Sequence, residues 1–300
     1  QKFLTYALRI FLMRTLDLVV LADRHCSTSK TYVHYLYQQG FRVRKILLMD
    51  FGRTTLFYDG FKNCLPFSWM ESISSFFAQK SPPFSKRFQE LCDFFQQFVP
   101  HPIDYSKDFP FERYTQKVSH VCGKDINDPF IQRVLNNQKI QTFLYTNGGI
   151  VSKDILEVEG RRIFHVHPGV VPYVKGSDGL LWSFLIRGKL GASCFYMNSG
   201  IDTGDIIQTK EWDLSIFQGY QGQPFPQETI YRALLYSFDP HLRAQLFADV
   251  MEKLYPNLQS AMTKKQRPTE GRTYYVMHPT IVSYAFKKMG LSSMIHSSKK

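Results

Sequence analysis

The sequence predicts an α/β fold: an open, mostly parallel sheet with helices on both faces, and a small C-terminal α+β extension. Three observations carry this expectation. Short apolar runs at 16–22 (LDLVVLA), 44–49 (RKILLM), 141–145 (QTFLY) and 163–167 (IFHVH) read as strands covered on both faces, since a half-exposed strand would alternate apolar and polar residues. Helix-like segments stand between them, as parallel strands need crossovers. Gly and Pro punctuate the strand ends, where such a sheet places its ligand loops.

The elements follow in order. Residues 3–22 are apolar, but Arg9, Arg14 and Asp17 interrupt them, and charges near a bilayer centre cost about 2.5–3.5 kcal/mol each. We therefore expect a docked helix followed by the first strand, and no membrane span. A polar loop at 23–29, a helix over 28–39 closed by Gly40, and the strand at 44–49 complete a βαβ unit. His25, Cys26 and Ser27 are read as loop residues rather than as a nucleophile. The Phe-rich stretch 51–100 has helical periodicity at 69–77 and 84–98, split by Ser81-Pro82-Pro83, and its aromatic stripes are expected in the core. No element is assigned over 112–122. Asn127 is the expected N-cap of a helix with Pro129 in its first turn. After the strand at 141–145, Thr146-Asn147-Gly148-Gly149 forms a loop whose glycines permit close backbone approach to a ligand, and 150–158 reads as a short helix. Strands are further expected at 208–214 and 273–277, with helices at 227–236 and 240–253. The expected division is a main domain over 1–213, starting with the docked helix, and an extension over 214–300.

Composition narrows the function classes. A 300-residue chain with 44% hydrophobic residues can bury a large core. Its formal charge of +12 favours anionic partners. The basic residues are scattered, as on a solvated surface rather than a nucleic-acid stripe. Cys26, Cys64, Cys92, Cys122 and Cys194 form no C-x-x-C pair and are expected to be free thiols in a reducing cytoplasm.

The strongest signal lies between residues 163 and 207. His165 and His167 stand two residues apart, on one face of a strand end that stops at Pro168-Gly169. Thirty-five residues after His167 comes Ile201-Asp202-Thr203-Gly204-Asp205-Ile206-Ile207, a carboxylate on a Gly-containing turn. A strand-end imidazole and a turn carboxylate suit acid–base work. Asp205 is read as structural. No third ligand has suitable spacing, so no metal site is expected.

The order His165-Val166-His167-Pro168-Gly169-Val170-Val171-Pro172, then Gly176, Gly191-Ala192-Ser193 and Ile201 to Ile207, resembles the folate-dependent formyltransferase family over roughly residues 126–275. The resemblance implies a Rossmann-like catalytic domain and 10-formyltetrahydrofolate as co-substrate. It implies His167 and Asp202 as catalytic residues, with His165 where the family has Asn and Gly169 where it has Ser. By the same resemblance, Gly149, Ile150 and Val151, with Ser199, Gly200 and Ile201, would receive the pterin. His165 would then donate to the oxyanion, or mark altered chemistry.

The expected acceptor is a small, anionic amine, first an amino-sugar nucleotide. An amino acid or peptide amine, hydrolysis of the formyl donor, and folate binding without catalysis stay open, as does a homodimer. With some 25 residues after Tyr275, a tRNA-binding barrel like that of methionyl-tRNA formyltransferase is not expected.

Overall fold

The computed structural model describes residues 13–51, 85–213, 217–267 and 269–296. The expected N-terminal helix, the helix at 69–77 and Cys64 lie outside these residues. Strand β1 (Arg14–Asp23) leads through helix α1 (Ser27–Gln38) into β2 (Phe41–Phe51), giving the βαβ unit expected. Helix α2 (Lys86–Gln96) buries Leu91, Phe94 and Phe95, so this part of the Phe-rich stretch is core. A 3-10 turn at Phe111–Tyr114 and strand β3 (Val118–Gly123) occupy the unassigned stretch.

Helix α3 (Pro129–Asn136) starts one residue later than expected: its N-cap is Asp128, whose carboxylate accepts from the Phe130 N–H. Strand β4 (Thr142–Tyr145) precedes helix α4 (Lys153–Leu156), one turn where a longer helix over 150–158 was expected. Residues are lost at both ends: 150–152 are held in a loop by Asn127, and the helix closes at Glu157. Strand β5 (Arg162–His167), strand β6 (Val174–Gly176), helix α5 (Gly179–Arg187), and strands β7 (Leu190–Tyr196) and β8 (Ile206–Trp212) follow. Helices α6 (Gln227–Ser237) and α7 (Asp239–Leu254), strand β9 (Arg272–Tyr274) and helix α8 (Pro279–Lys288) complete the described chain.

Seven strands form one sheet in the order β3-β2-β1-β4-β5-β7-β8, and β6 pairs with β9 in a small second sheet. Pairing is parallel from β3 to β5 and antiparallel at β5–β7 and β7–β8. The sheet is therefore open and mostly parallel. Strand order reverses between β1 and β4, and crevices of such sheets lie outside the strand C-termini at that point.

Side chains along β1 alternate between the two faces of the sheet as its pleat requires, and both faces are buried. Leu16, Leu18, Val20 and Ala22 join a core with Tyr32 and Leu36 of α1 and Leu246 and Phe247 of α7. Val19 and Leu21 join another with Phe130, Ile131 and Val134 of α3 and Ile155 of α4. Helices thus cover both faces. Phe247 holds α7 on the sheet, with ring centroids 5.7 Å from those of both Tyr32 and Phe164. Truncating such a ring costs about 3–5 kcal/mol. Helices α2, α5, α6 and α8 share a third core. Cys26, Cys92, Cys122 and Cys194 are free thiols. Among the described residues, no helix is long and apolar enough to cross a membrane.

Candidate active site

Two neighbours fix the end of β5. His167 registers against Ser193 of β7, and Phe164 against Leu144 of β4, so the strand cannot slide without turning both histidines to the other face. His165 and His167 consequently point to one side, as their spacing requires. His167 is buried, 3% exposed, and its two ring nitrogens meet different groups. Nδ1 lies 3.3 Å from Asp202 Oδ2, and Nε2 lies 3.1 Å from the Val174 carbonyl oxygen. Both neighbours are acceptors. A neutral imidazole can offer a proton to only one of them, whereas an imidazolium offers one to each.

Electrostatics pull in both directions. Burial lowers the His167 pKa from its ordinary value, and the Asp202 carboxylate opposes that shift without cancelling it. The ring is therefore neutral at pH 7 and ready to accept a proton that Asp202 and Val174 would help hold. His165 is pushed further down, to about 4, mainly by burial. Its Nδ1 lies 3.1 Å from the Tyr145 carbonyl, which favours the tautomer protonated there, and its ring meets Phe195 edge-on at 5.7 Å.

Asp202 reaches His167 from a left-handed turn with φ of +50°. Its Oδ2 accepts from the Gly176 N–H at 2.7 Å. The side chain of Gln266 donates to the carbonyls of Asp202 and Gly204 at 2.9 and 2.8 Å, clamping the turn from behind. Gly204 is required by close packing: a Cβ there would lie 1.8 Å from the Tyr196 carbonyl oxygen. Gly169 has a comparable function for the histidine, because a Cβ there would lie 2.6 Å from His167 Nε2 and 2.9 Å from the Val174 carbonyl.

All nine residues singled out in the sequence line one cavity of about 540 Å3: His165, His167, Asp202, Gly149, Ile150, Val151, Ser199, Gly200 and Ile201. Ile150 is 73% exposed and Ile201 55%, so two apolar side chains face water on the loops that bound it. Within the cavity wall, the Asn147 side-chain oxygen is buried without a hydrogen-bond partner among the described residues. These features suit a flat, largely apolar ligand carrying an N–H donor.

Sequence reasoning missed several residues that build the site. Strand β6 supplies both the Val174 carbonyl to His167 and the Gly176 N–H to Asp202, yet three residues leave no periodic signal. Asn127, expected as a cap, instead ties down the Ile150 loop: its Nδ2 donates to the Ile150 carbonyl at 2.9 Å and its Oδ1 accepts from the Ser152 N–H at 2.7 Å. An Asx residue two positions before Pro129 could have served as a cap or as such a tie, and sequence alone does not separate them. Asp239 and Arg243, a buried pair 2.6 Å apart on α7, also border the cavity. Burial raises the Asp239 pKa, with Arg243 opposing the shift.

No family model matches the chain. Over 88 residues it is 31% identical to a methionyl-tRNA formyltransferase of Clostridium novyi (strain NT), a match that takes in 29% of this chain and 28% of that protein. Among solved structures, the formyltransferase PseJ from Anoxybacillus kamchatkensis, in complex with UDP-4,6-dideoxy-4-formamido-L-AltNAc and tetrahydrofolate, is 22% identical, with a TM-score of 0.37 over 65% of this chain and 83% of that one. A 4-N formyltransferase from Francisella tularensis is 14% identical, with a TM-score of 0.44 over 96% of this chain and 91% of that one. The chain resembles the folate-dependent formyltransferases, and the sequence match spans less than a third of the Clostridium protein's length.

Proposed function

We propose that this formyltransferase-like chain is an enzyme that moves a formyl group from 10-formyltetrahydrofolate to the amine of a small acceptor. The observation carrying this reading is the His167–Asp202 contact at 3.3 Å in the wall of the cavity that His165 shares. The folate supplies the activated formyl group. Gly149, Ile150, Val151, Ser199, Gly200 and Ile201 would receive its ring, with exposed Ile150 and Ile201 covering the faces and Asn147 accepting an N–H.

The chain's own groups meet the remaining demands. An amine nitrogen bonds to the formyl carbon, the bond from that carbon to the folate nitrogen breaks, and one proton passes from the amine to the released nitrogen. His167 takes that proton and returns it, while Asp202 and the Val174 carbonyl hold the imidazolium between the two events. To reach Nε2, the amine must share or replace the Val174 contact. His165 has one N–H while neutral, so it donates to the oxygen that gains charge only from the Nε2–H tautomer, giving up the Tyr145 contact; a donor of this kind is worth about 2.7–4 kcal/mol of the barrier.

For the acceptor, the proposal is an amine carrying anionic groups, first an amino-sugar nucleotide; the net charge of +12 supports an anion. The test is mass-spectrometric detection of the formylated product after incubation with 10-formyltetrahydrofolate and a panel of amino-sugar nucleotides, amino acids and methionyl-tRNA. A product with an added formyl group from the sugar class would support the reading. Formate without any formylated amine would replace it with hydrolysis, and a methionyl-tRNA product would replace the acceptor.

A further inference from the structure

A second opening lies behind the Asp202 turn, and Met197 and Asn198 form the wall between it and the cavity. This groove measures about 840 Å3 and contains five cationic side chains, Arg161, Arg162, Lys175, Lys265 and Arg267, against one carboxylate, Asp205. The Arg161 guanidinium is already spent inside the protein, on Gln141, Asn136 and the Ile155 carbonyl. Arg162 lies over the Tyr196 ring at 5.8 Å.

Lys175 sets this groove apart from an ordinary basic surface. It is 6% exposed, yet among the described residues its ammonium makes no hydrogen bond and no ion pair. Its aliphatic stem is packed away while its nitrogen still meets solvent. That nitrogen lines the groove, where further cations gather with few carboxylates to offset them: Asp205 in the lining, and Glu270, whose Oε1 lies 3.9 Å from Arg267 Nε. Such an arrangement is built for an anion that arrives from outside the chain.

We infer that this groove binds the diphosphate group of a small molecule, with Lys175 as its anchor. A diphosphate presents several anionic oxygens within a few ångströms. Lys175 and Lys265 supply point charges, while Arg162 and Arg267 supply planar forks that match phosphate geometry. The volume exceeds what one phosphate needs and leaves room for a nucleoside beside Tyr196. Lys175 is also the middle residue of β6, between the Val174 carbonyl that meets His167 and the Gly176 N–H that meets Asp202. Binding at the anchor therefore acts on the strand that holds the histidine–carboxylate pair. The site requires no formyl transfer, and it stands or falls separately from that activity.

The test is calorimetric titration of the whole protein with inorganic pyrophosphate and, in parallel, with adenosine diphosphate. The wild type is expected to bind pyrophosphate saturably, one per chain. Lys175→Met keeps the aliphatic stem and is expected to weaken binding about 10-fold or more, the scale of a charged hydrogen bond. Lys287→Met, the same charge change on exposed α8, is expected to stay within about 2-fold, since a remote surface charge is screened. Should Lys175→Met fail to fold by thermal melt, the exposed pair Lys265→Gln/Arg267→Gln replaces it with the same expectation. Tighter adenosine diphosphate binding would name a nucleotide as the source, and equal binding would name the diphosphate group alone. Absence of saturable binding at millimolar pyrophosphate, or equal weakening by Lys175→Met and Lys287→Met, would overturn the site.

Discussion

Replacing Gly169 with Ala tests whether the position of the His167 ring matters. The new Cβ would lie 2.6 Å from Nε2 and 2.9 Å from Cδ2, against about 3.4 Å for ordinary contact, so the ring must move by about 0.8 Å. Gly169 is not among the positive-φ glycines, and the alanine backbone is tolerated; the effect is steric. The ring has little freedom, with Asp202 on one side and the Val174 carbonyl on the other, and a shift of this size breaks the 3.1 Å Val174 contact. A misplacement near 1 Å costs about 100-fold in rate, while one lost neutral hydrogen bond costs about 1 kcal/mol of stability. Steady-state kinetics on the acceptor found by the panel should therefore show kcat falling about 100-fold with a melting temperature only a few degrees lower. A variant that keeps kcat within about 3-fold would refute the claim that His167 must stay where this structure holds it.

Three further outcomes are expected. Asp202→Asn should lower kcat about 10²–10⁴-fold; because Asp202 raises the His167 pKa against burial, the acid limb of the kcat/KM profile should also move to lower pH, and an upward shift would contradict the pairing. Burial holds His34, His165 and His241 near 4 when folded against 6.5 unfolded, so the unfolded chain binds more protons between those values; thermal melts should show stability falling as pH drops from 6.5 to 4, less steeply in His241→Gln, and a pH-independent melt would contradict this. Asn127→Ala removes both ties on the Ile150 loop and should raise KM for 10-formyltetrahydrofolate up to about 10-fold with kcat nearly unchanged, whereas an unchanged KM would remove that loop from folate binding.

Much of the parallel half of the fold was legible because its strands, buried on both faces, leave unbroken apolar runs. Val19, Val20 and Leu21 are the plainest case. The elements that stayed hidden did so for identifiable reasons. Strand β3, VSHVCG, is a short edge strand with polar residues among its apolar ones. In α5, GLLWSFLIR, the run is apolar almost all round and shows neither period clearly. Helix α8 did carry signals, with Pro279 in its first turn, Lys287-Lys288 in its last, and a buried stripe at Val282, Ala285 and Phe286. At the site, His165, His167 and Asp202 announce themselves by spacing and punctuation. Val174 and Gly176 act through backbone groups, which no residue type reveals, and the packing of the Lys175 stem exists only once β6 is in place.

The most direct measurement is tetrahydrofolate release from 10-formyltetrahydrofolate, followed with and without the amine acceptor, in the wild type and in His167→Ala. Amine-dependent release that falls at least about 100-fold in the variant is expected if His167 carries the proton. Equal release by wild type and variant, or no release from either while folate still binds, would contradict the assignment of this cavity as a formyl-transfer site.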